Sequence, residues 1–178
     1  NIEILKAVPR KNIELWLVTN GSIWPNEETR KLLNEFKKIV MSVSIDGYGE
    51  LAEYVRHGTK WDRIKRNVGR FGYEFGAKPH FVFHSINAPF FEETVDQFSF
   101  PIKEWSTDYL LSPKWLNMQY LPVDVKQYIL SRNPVMEESI SKYVIEDKYR
   151  GDVFERLMSN LTGYPEMLND YVELLYEG

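Results

Sequence analysis

The stretch from Ile39 to Gly47 reads Ile-Val-Met-Ser-Val-Ser-Ile-Asp-Gly. Its β-branched residues favour a strand, and the glycine ends it. Successive side chains of a strand point to opposite faces, so Met41, Val43 and Ile45 go one way and Ser42, Ser44 and Asp46 the other. The apolar set needs a helix layer to cover it. The polar set is unusual, because a parallel strand is normally apolar on both faces. It fits a strand that lines a cavity or a ligand, and it equally fits an edge strand with one solvated face.

Working outward, Ile13 to Asn20 (Ile-Glu-Leu-Trp-Leu-Val-Thr-Asn) is a second strand candidate, closed by Gly21. Between the two, Pro25-Asn26 opens a helix with Glu27 and Glu28 in its first turn, where the helix dipole favours negative charge. Leu32, Leu33 and Phe36 share a face of it. Downstream, Trp61, Ile64, Val68 and Phe71 recur at three- and four-residue steps, which predicts another helix, ending at Gly69 and Gly72. His80 to Asn87, bounded by Pro79 and Pro89, reads as a strand, and Trp105 to Leu111 as one more. Strands alternating with helices predict an α/β fold: a mostly parallel sheet with crossover helices, an open sheet or partial TIM-like half-barrel over residues 1–121. Past Pro122 only helices are expected, at Val123–Arg132, Val135–Glu146, Val153–Asn160 and Glu166–Tyr176. They make residues 122–178 a helical C-terminal extension.

Composition narrows the function. Among 178 residues, 43% are hydrophobic and 15% aromatic, which excludes a disordered chain. The net charge of −4 argues against nucleic acid as a partner. The basic cluster Lys60, Arg63, Lys65, Arg66 and Arg70 reads as the solvated face of a helix. There is no cysteine, so disulfides and every thiolate-held zinc or iron–sulfur site are excluded from this chain. No apolar run approaches the roughly 20 residues of a membrane span. We therefore expect a cytoplasmic protein without a membrane partner. Asn1 stands where a methionine would, which reads as a chain cut or processed at its N-terminus.

The polar residues gather at strand ends. Thr19-Asn20-Gly21-Ser22 closes the first strand, Ser44-Ile45-Asp46-Gly47 the second, and His84, Ser85 and Asn87 the third. Ligands in α/β sheets bind at these carboxyl ends. Asn20-Gly21 and Asp46-Gly47 are also ordinary turn dipeptides, so the collection carries more than any member. Familiar catalytic motifs are missing: no G-x-S-x-G elbow, no P-loop, no G-x-G-x-x-G and no H-E-x-x-H. His80 and His84, four residues apart on one strand, would stand roughly 13 Å from each other, too far to share a metal. Glu27/Glu28 and Glu92/Glu93 read as helix-start charges and not as an acid/base pair.

The order Val-Thr-Asn-Gly-Ser (18–22), helix, Val-Ser-Ile-Asp-Gly-Tyr-Gly-Glu (43–50), Glu-Tyr-Val-Arg-His-Gly-Thr-Lys-Trp-Asp (53–62) and Asn67 resembles the middle of a radical S-adenosylmethionine (SAM) enzyme. The likeness is to the twitch-domain group of phages and bacteria. Trp115-Leu116-Asn117, Leu121-Pro122, Val125-Lys126, Arg150-Gly151-Asp152 and Tyr164-Pro165-Glu166 resemble later parts of that group. The resemblance implies a partial (β/α)6 barrel with SAM across the carboxyl ends of its strands. It also implies a 4Fe-4S cluster on a C-x3-C-x2-C loop, and a 5′-deoxyadenosyl radical that abstracts hydrogen from a substrate. Asn20 and Ser44 would contact the ribose or amino-acid part of SAM, and Arg56 its carboxylate. Asp46 would order its own turn or pair with Arg56. The bland alternative for Arg56 is a surface ion pair with Glu50 or Glu53.

The departures are as specific as the likeness. The cluster-binding cysteines and the strand that binds the SAM amino group belong upstream of Asn20, where too little chain stands. The visible strands would match the fourth onward of the family barrel. We therefore expect the C-terminal portion of a radical SAM-type enzyme, contributing to a SAM and substrate pocket and inactive alone. A missing N-terminal segment or a partner subunit would cover the open sheet. The alternatives are a cluster-less binding or structural subunit without catalysis, and an unrelated small-ligand α/β protein.

Overall fold

The computed structural model describes residues 2–136, 138, 140, 141, 148–161 and 163–177. The chain begins with a short helix α1 (Ile2–Ala7) and a 3₁₀ turn, then alternates: β1 (Glu14–Thr19), α2 (Glu27–Asn34), β2 (Lys38–Ile45), α3 (Gly49–Val55), α4 (Trp61–Phe75), β3 (Lys78–Phe83), α5 (Phe91–Val95) and β4 (Ser106–Tyr109). Helices α6 (Val123–Ser131), α7 (Gly151–Asn160) and α8 (Asn169–Glu177) follow, with 3₁₀ turns at Pro134–Met136 and Glu166–Leu168. The expected α/β class holds, with a helical C-terminal region. The expected helix Val135–Glu146 falls largely outside the described residues.

The four strands form one open, all-parallel sheet in the order β1-β2-β3-β4. Parallel neighbours joined by crossovers of one hand put their helices on one side of the sheet. Burial agrees with that geometry. Met41, Val43 and Ile45 of β2 and Phe81 and Phe83 of β3 are buried in one core with Leu33 of α2, Ile64, Val68 and Phe71 of α4, and Phe91 and Val95 of α5. The opposite face carries Trp16 and Val18 of β1, which are 71% and 73% exposed, and the half-buried Ser42, Ser44 and His80. Ser42 and Ser44 thus lie away from the helix layer, as the alternation predicts. The C-terminal helices join the same core through Leu157, Leu168, Tyr171, Val172 and Leu175.

Local chemistry explains most element ends. Asn26 caps α2, its side chain accepting from the Thr29 N–H at 2.8 Å. Glu53 starts α4, accepting from the Trp61 N–H at 3.0 Å and from Lys60 Nζ at 2.9 Å. Helix α4 does not end at Gly69 or Gly72, as expected. It runs to Phe75, where Gly76 turns left-handed (φ 62°) and bonds back to the Gly72 carbonyl at 3.0 Å. Strand β3 also differs from expectation. It begins before Pro79, which pairs with Val43 inside the ladder, and stops at Phe83. The reason is Asn87, whose side chain accepts from the His84 N–H (2.8 Å) and donates to the Val82 carbonyl (3.0 Å), folding residues 84–87 into a turn.

Candidate functional site

Asn20, Ser44, Asp46 and Arg56 come from three separate segments, yet all four line one hollow at the carboxyl ends of β1 and β2. Thr59 and Trp61 complete its rim. The hollow is small. Water-sized room in it amounts to about 10 Å³, space for roughly one water. It has no room for a nucleoside.

Each side chain has a definite engagement. The Asn20 carbonyl oxygen accepts from the Ser22 N–H at 3.0 Å and from the Ser22 hydroxyl at 2.7 Å, closing the turn after β1. Its Nδ2 has no protein partner among the described residues, and neither does the Ser44 hydroxyl. Arg56 follows the end of α3 and ion-pairs with Asp46. Glu53 is taken by Lys60 and Trp61, so it is not the partner of Arg56. Asp46 is mostly covered, its side chain 12% exposed, while Arg56 reaches solvent. Burial raises the Asp46 carboxyl above the ordinary carboxylate value, and the nearby Arg56 and His80 only partly offset that.

The frame around Asp46 is fixed from three directions. Gly47 (φ 147°) follows it because a Cβ there would stand 2.8 Å from the Leu51 side chain. Asn87 Nδ2 donates to the Asp46 carbonyl at 3.2 Å, tying the exit of β2 to that of β3. Asn67, buried in α4, donates to the Gly21 carbonyl at 2.8 Å and so holds the turn after β1. Asn67 and Asn87 thus position the site.

The structure adds residues to the same face. Across β2, β3 and β4, Ser44, His80 and Ser106 are register partners, so their side chains stand in one row on the uncovered face. His80 Nδ1 and Ser106 Oγ are 2.8 Å apart, and Asp108 Oδ2 lies 3.7 Å from His80 Nε2. Pairing register is what aligns them, and no local motif announces it. His84 does not share a strand face with His80, because the turn at Asn87 has already taken it out of the strand. It is buried, with Nδ1 accepting from the Ile86 N–H at 3.2 Å, and burial pushes it down to about 3.

Lys60, Arg63, Lys65, Arg66 and Arg70 are exposed at and along α4, with the Arg70 guanidinium 4.0 Å from the Trp24 ring centre. Glu27/Glu28 and Glu92/Glu93 sit in the first turns of α2 and α5. Among the described residues no group of three or more His, Asp or Glu side chains could hold a metal ion. No helix among them is long and apolar enough to cross a membrane. Comparison of the chain with protein-family models, with curated proteins and with solved structures finds no match.

Proposed function

We propose that this chain supplies part of a SAM and substrate pocket of a radical SAM-type enzyme. In this reading SAM lies along the uncovered sheet face with its charged end at the mouth of the hollow beside Arg56. The observation that carries it is the convergence of Asn20, Ser44, Asp46 and Arg56 on that hollow. The consecutive strand order supports it, because a barrel segment keeps its helices on one side and leaves the strand ends and inner face to the ligand.

The donor set suits a zwitterionic end group. A guanidinium fork matches a carboxylate, the Asp46 carboxylate matches an ammonium, and Ser44 with the free Asn20 amide matches hydroxyls. The 4Fe-4S cluster does not fit this chain, which has no cysteine to ligate it. On this reading the chain binds SAM but does not cleave it alone, and the cluster ligands come from elsewhere.

Calorimetric titration with SAM tests the assignment. The wild-type protein is expected to bind, and Arg56→Ala to bind about tenfold or more weakly, as for loss of one charge-assisted contact. Equal heats for both proteins would remove Arg56 from the site. A second reading, a cluster-less binding or structural subunit without catalysis, draws on the exposed Trp16 and Val18 of the uncovered face. It becomes the preferred one if SAM gives no heat with the wild-type protein.

A further inference from the structure

A second cleft lies at the exit of β3, with a volume of about 330 Å³, and shares no lining residue with the hollow at Arg56. We propose that it is a binding site for a flat aromatic or heteroaromatic group that carries a neutral hydrogen-bond acceptor, such as a ring-bound carbonyl. Its walls are Tyr54 from α3, His84 and Ile86 from the turn after β3, Trp115 and Leu116 from a 3₁₀ turn, and Asn160 at the end of α7.

The case begins with His84, only 5% exposed. The Ile86 N–H occupies Nδ1, which places the ring proton on Nε2. Nε2 has no protein partner among the described residues, and the ring borders the cleft. The ring is neutral through the whole physiological range, since burial pushes it down to about 3. It therefore offers one uncharged donor, and no cationic side chain among the described residues of the cleft wall offsets the burial of an anion.

The surroundings match that donor. Tyr54 and Trp115 supply aromatic surface, and Ile86 and Leu116 supply apolar surface, the usual composition of a small-molecule pocket. Asn160 donates to the Arg156 carbonyl at 2.7 Å, which leaves its own carbonyl oxygen as an acceptor at the rim. The wall is held rigid from behind. Ser85 donates to the Leu116 carbonyl from its N–H (2.8 Å) and to the Trp115 carbonyl from its hydroxyl (3.1 Å), and its own carbonyl accepts from Tyr171. Such preorganisation lowers the ordering cost of binding.

Benzamide is the probe, and toluene, which lacks the acceptor, is its control. Titration is followed by the side-chain NMR signals of His84 and the Trp115 indole. Benzamide is expected to shift both saturably, with a Kd on the order of 1 mM for a fragment of this size. Toluene should bind about tenfold more weakly, and His84→Phe should abolish that difference. Absence of saturable shifts with the wild-type protein overturns the proposal, as does an undiminished benzamide preference in His84→Phe. Should that variant fail to fold, Trp115→Leu replaces it. Both probes then weaken together, and unchanged binding overturns the site. The outcome is separable from the SAM reading, because Arg56→Ala leaves this cleft intact.

Discussion

Asp46 feels two opposed effects, and the balance makes its pair with Arg56 asymmetric. Burial raises its pKa and outweighs the neighbouring guanidinium. An acid whose folded pKa lies above its unfolded value contributes stability that is full below the unfolded pKa and is lost as pH rises through the folded one. For Asp46 that window starts near 3.8 and extends upward. Asp46→Asn removes the ionisation penalty and leaves Arg56 able to reach water, so at pH 7 it is expected to be neutral or slightly stabilising. Arg56→Ala leaves a buried carboxylate unpaired and is expected to cost about 1–3 kcal/mol. The deficit shrinks as pH falls toward 4, because Asp46 then takes up a proton. Urea denaturation of both variants at pH 7 and pH 4.5 measures this. Equal losses for the two variants at pH 7 would mean that burial does not dominate at this carboxylate. Asn87 is a cleaner structural case. It bonds the His84 N–H and the Val82 and Asp46 carbonyls, so Asn87→Ala should cost about 2–3 kcal/mol by the same measurement, with no special dependence on pH.

At the scale of elements, α4 contains a matched pair of tests. Gly69 and Gly72 both lie inside the helix, but a Cβ at Gly69 meets nothing within 4 Å, whereas one at Gly72 would stand 2.6 Å from the Phe100 ring. Gly69→Ala is expected to gain about 0.5–1 kcal/mol and raise Tm by roughly 1–4 °C. Gly72→Ala should show no gain, since the ring must move to admit the methyl group. Thermal unfolding of the two variants separates helix propensity from packing, and equal gains would show that Phe100 yields freely. The same helix shows where sequence reading stops. Trp61, Ile64, Val68 and Phe71 made it legible by spacing alone. Its end was not, because Gly72 serves a contact from Phe100, distant in sequence, while Gly76 is the cap. Strand β2 was legible through its alternation, and so was the burial of one face and not the other. Strand β3 was misplaced at both ends, since Pro79 is admitted by its position in the ladder and the Asn87 side chain folds residues 84–87 back onto Val82. Asn20, Ser44 and Asp46 could be found because strand ends of a parallel sheet converge. His80 and Ser106 could not be assigned to the same row without the register.

At the scale of the molecule, the sheet is covered on one side, and the C-terminal helices brace its exit. The uncovered side follows from strand order together with the sequence of β1, where Trp16 and Val18 alternate with the inward Leu15 and Leu17. The bracing is made by Tyr171 of α8. Its ring stacks on Tyr128 of α6 at 5.8 Å, and its hydroxyl donates to the Ser85 carbonyl in the turn after β3. Burial also raises its phenol above the ordinary tyrosine range, so the hydroxyl remains a donor at any working pH. Because Leu157, Leu168, Val172 and Leu175 share one core with the strands, the helical region and the sheet should lose structure together. Tyr171→Phe keeps the ring and removes the bond, and is expected to cost about 1–2 kcal/mol. In both proteins the helical signal in the far-ultraviolet and the tertiary signal in the near-ultraviolet should fall in one coincident transition, shifted to lower urea in the variant. Separate midpoints in the wild-type protein would mean that residues beyond Pro122 form an independent unit. An unshifted midpoint in Tyr171→Phe would mean that apolar packing, and not this hydrogen bond, holds α8 against the exit of β3.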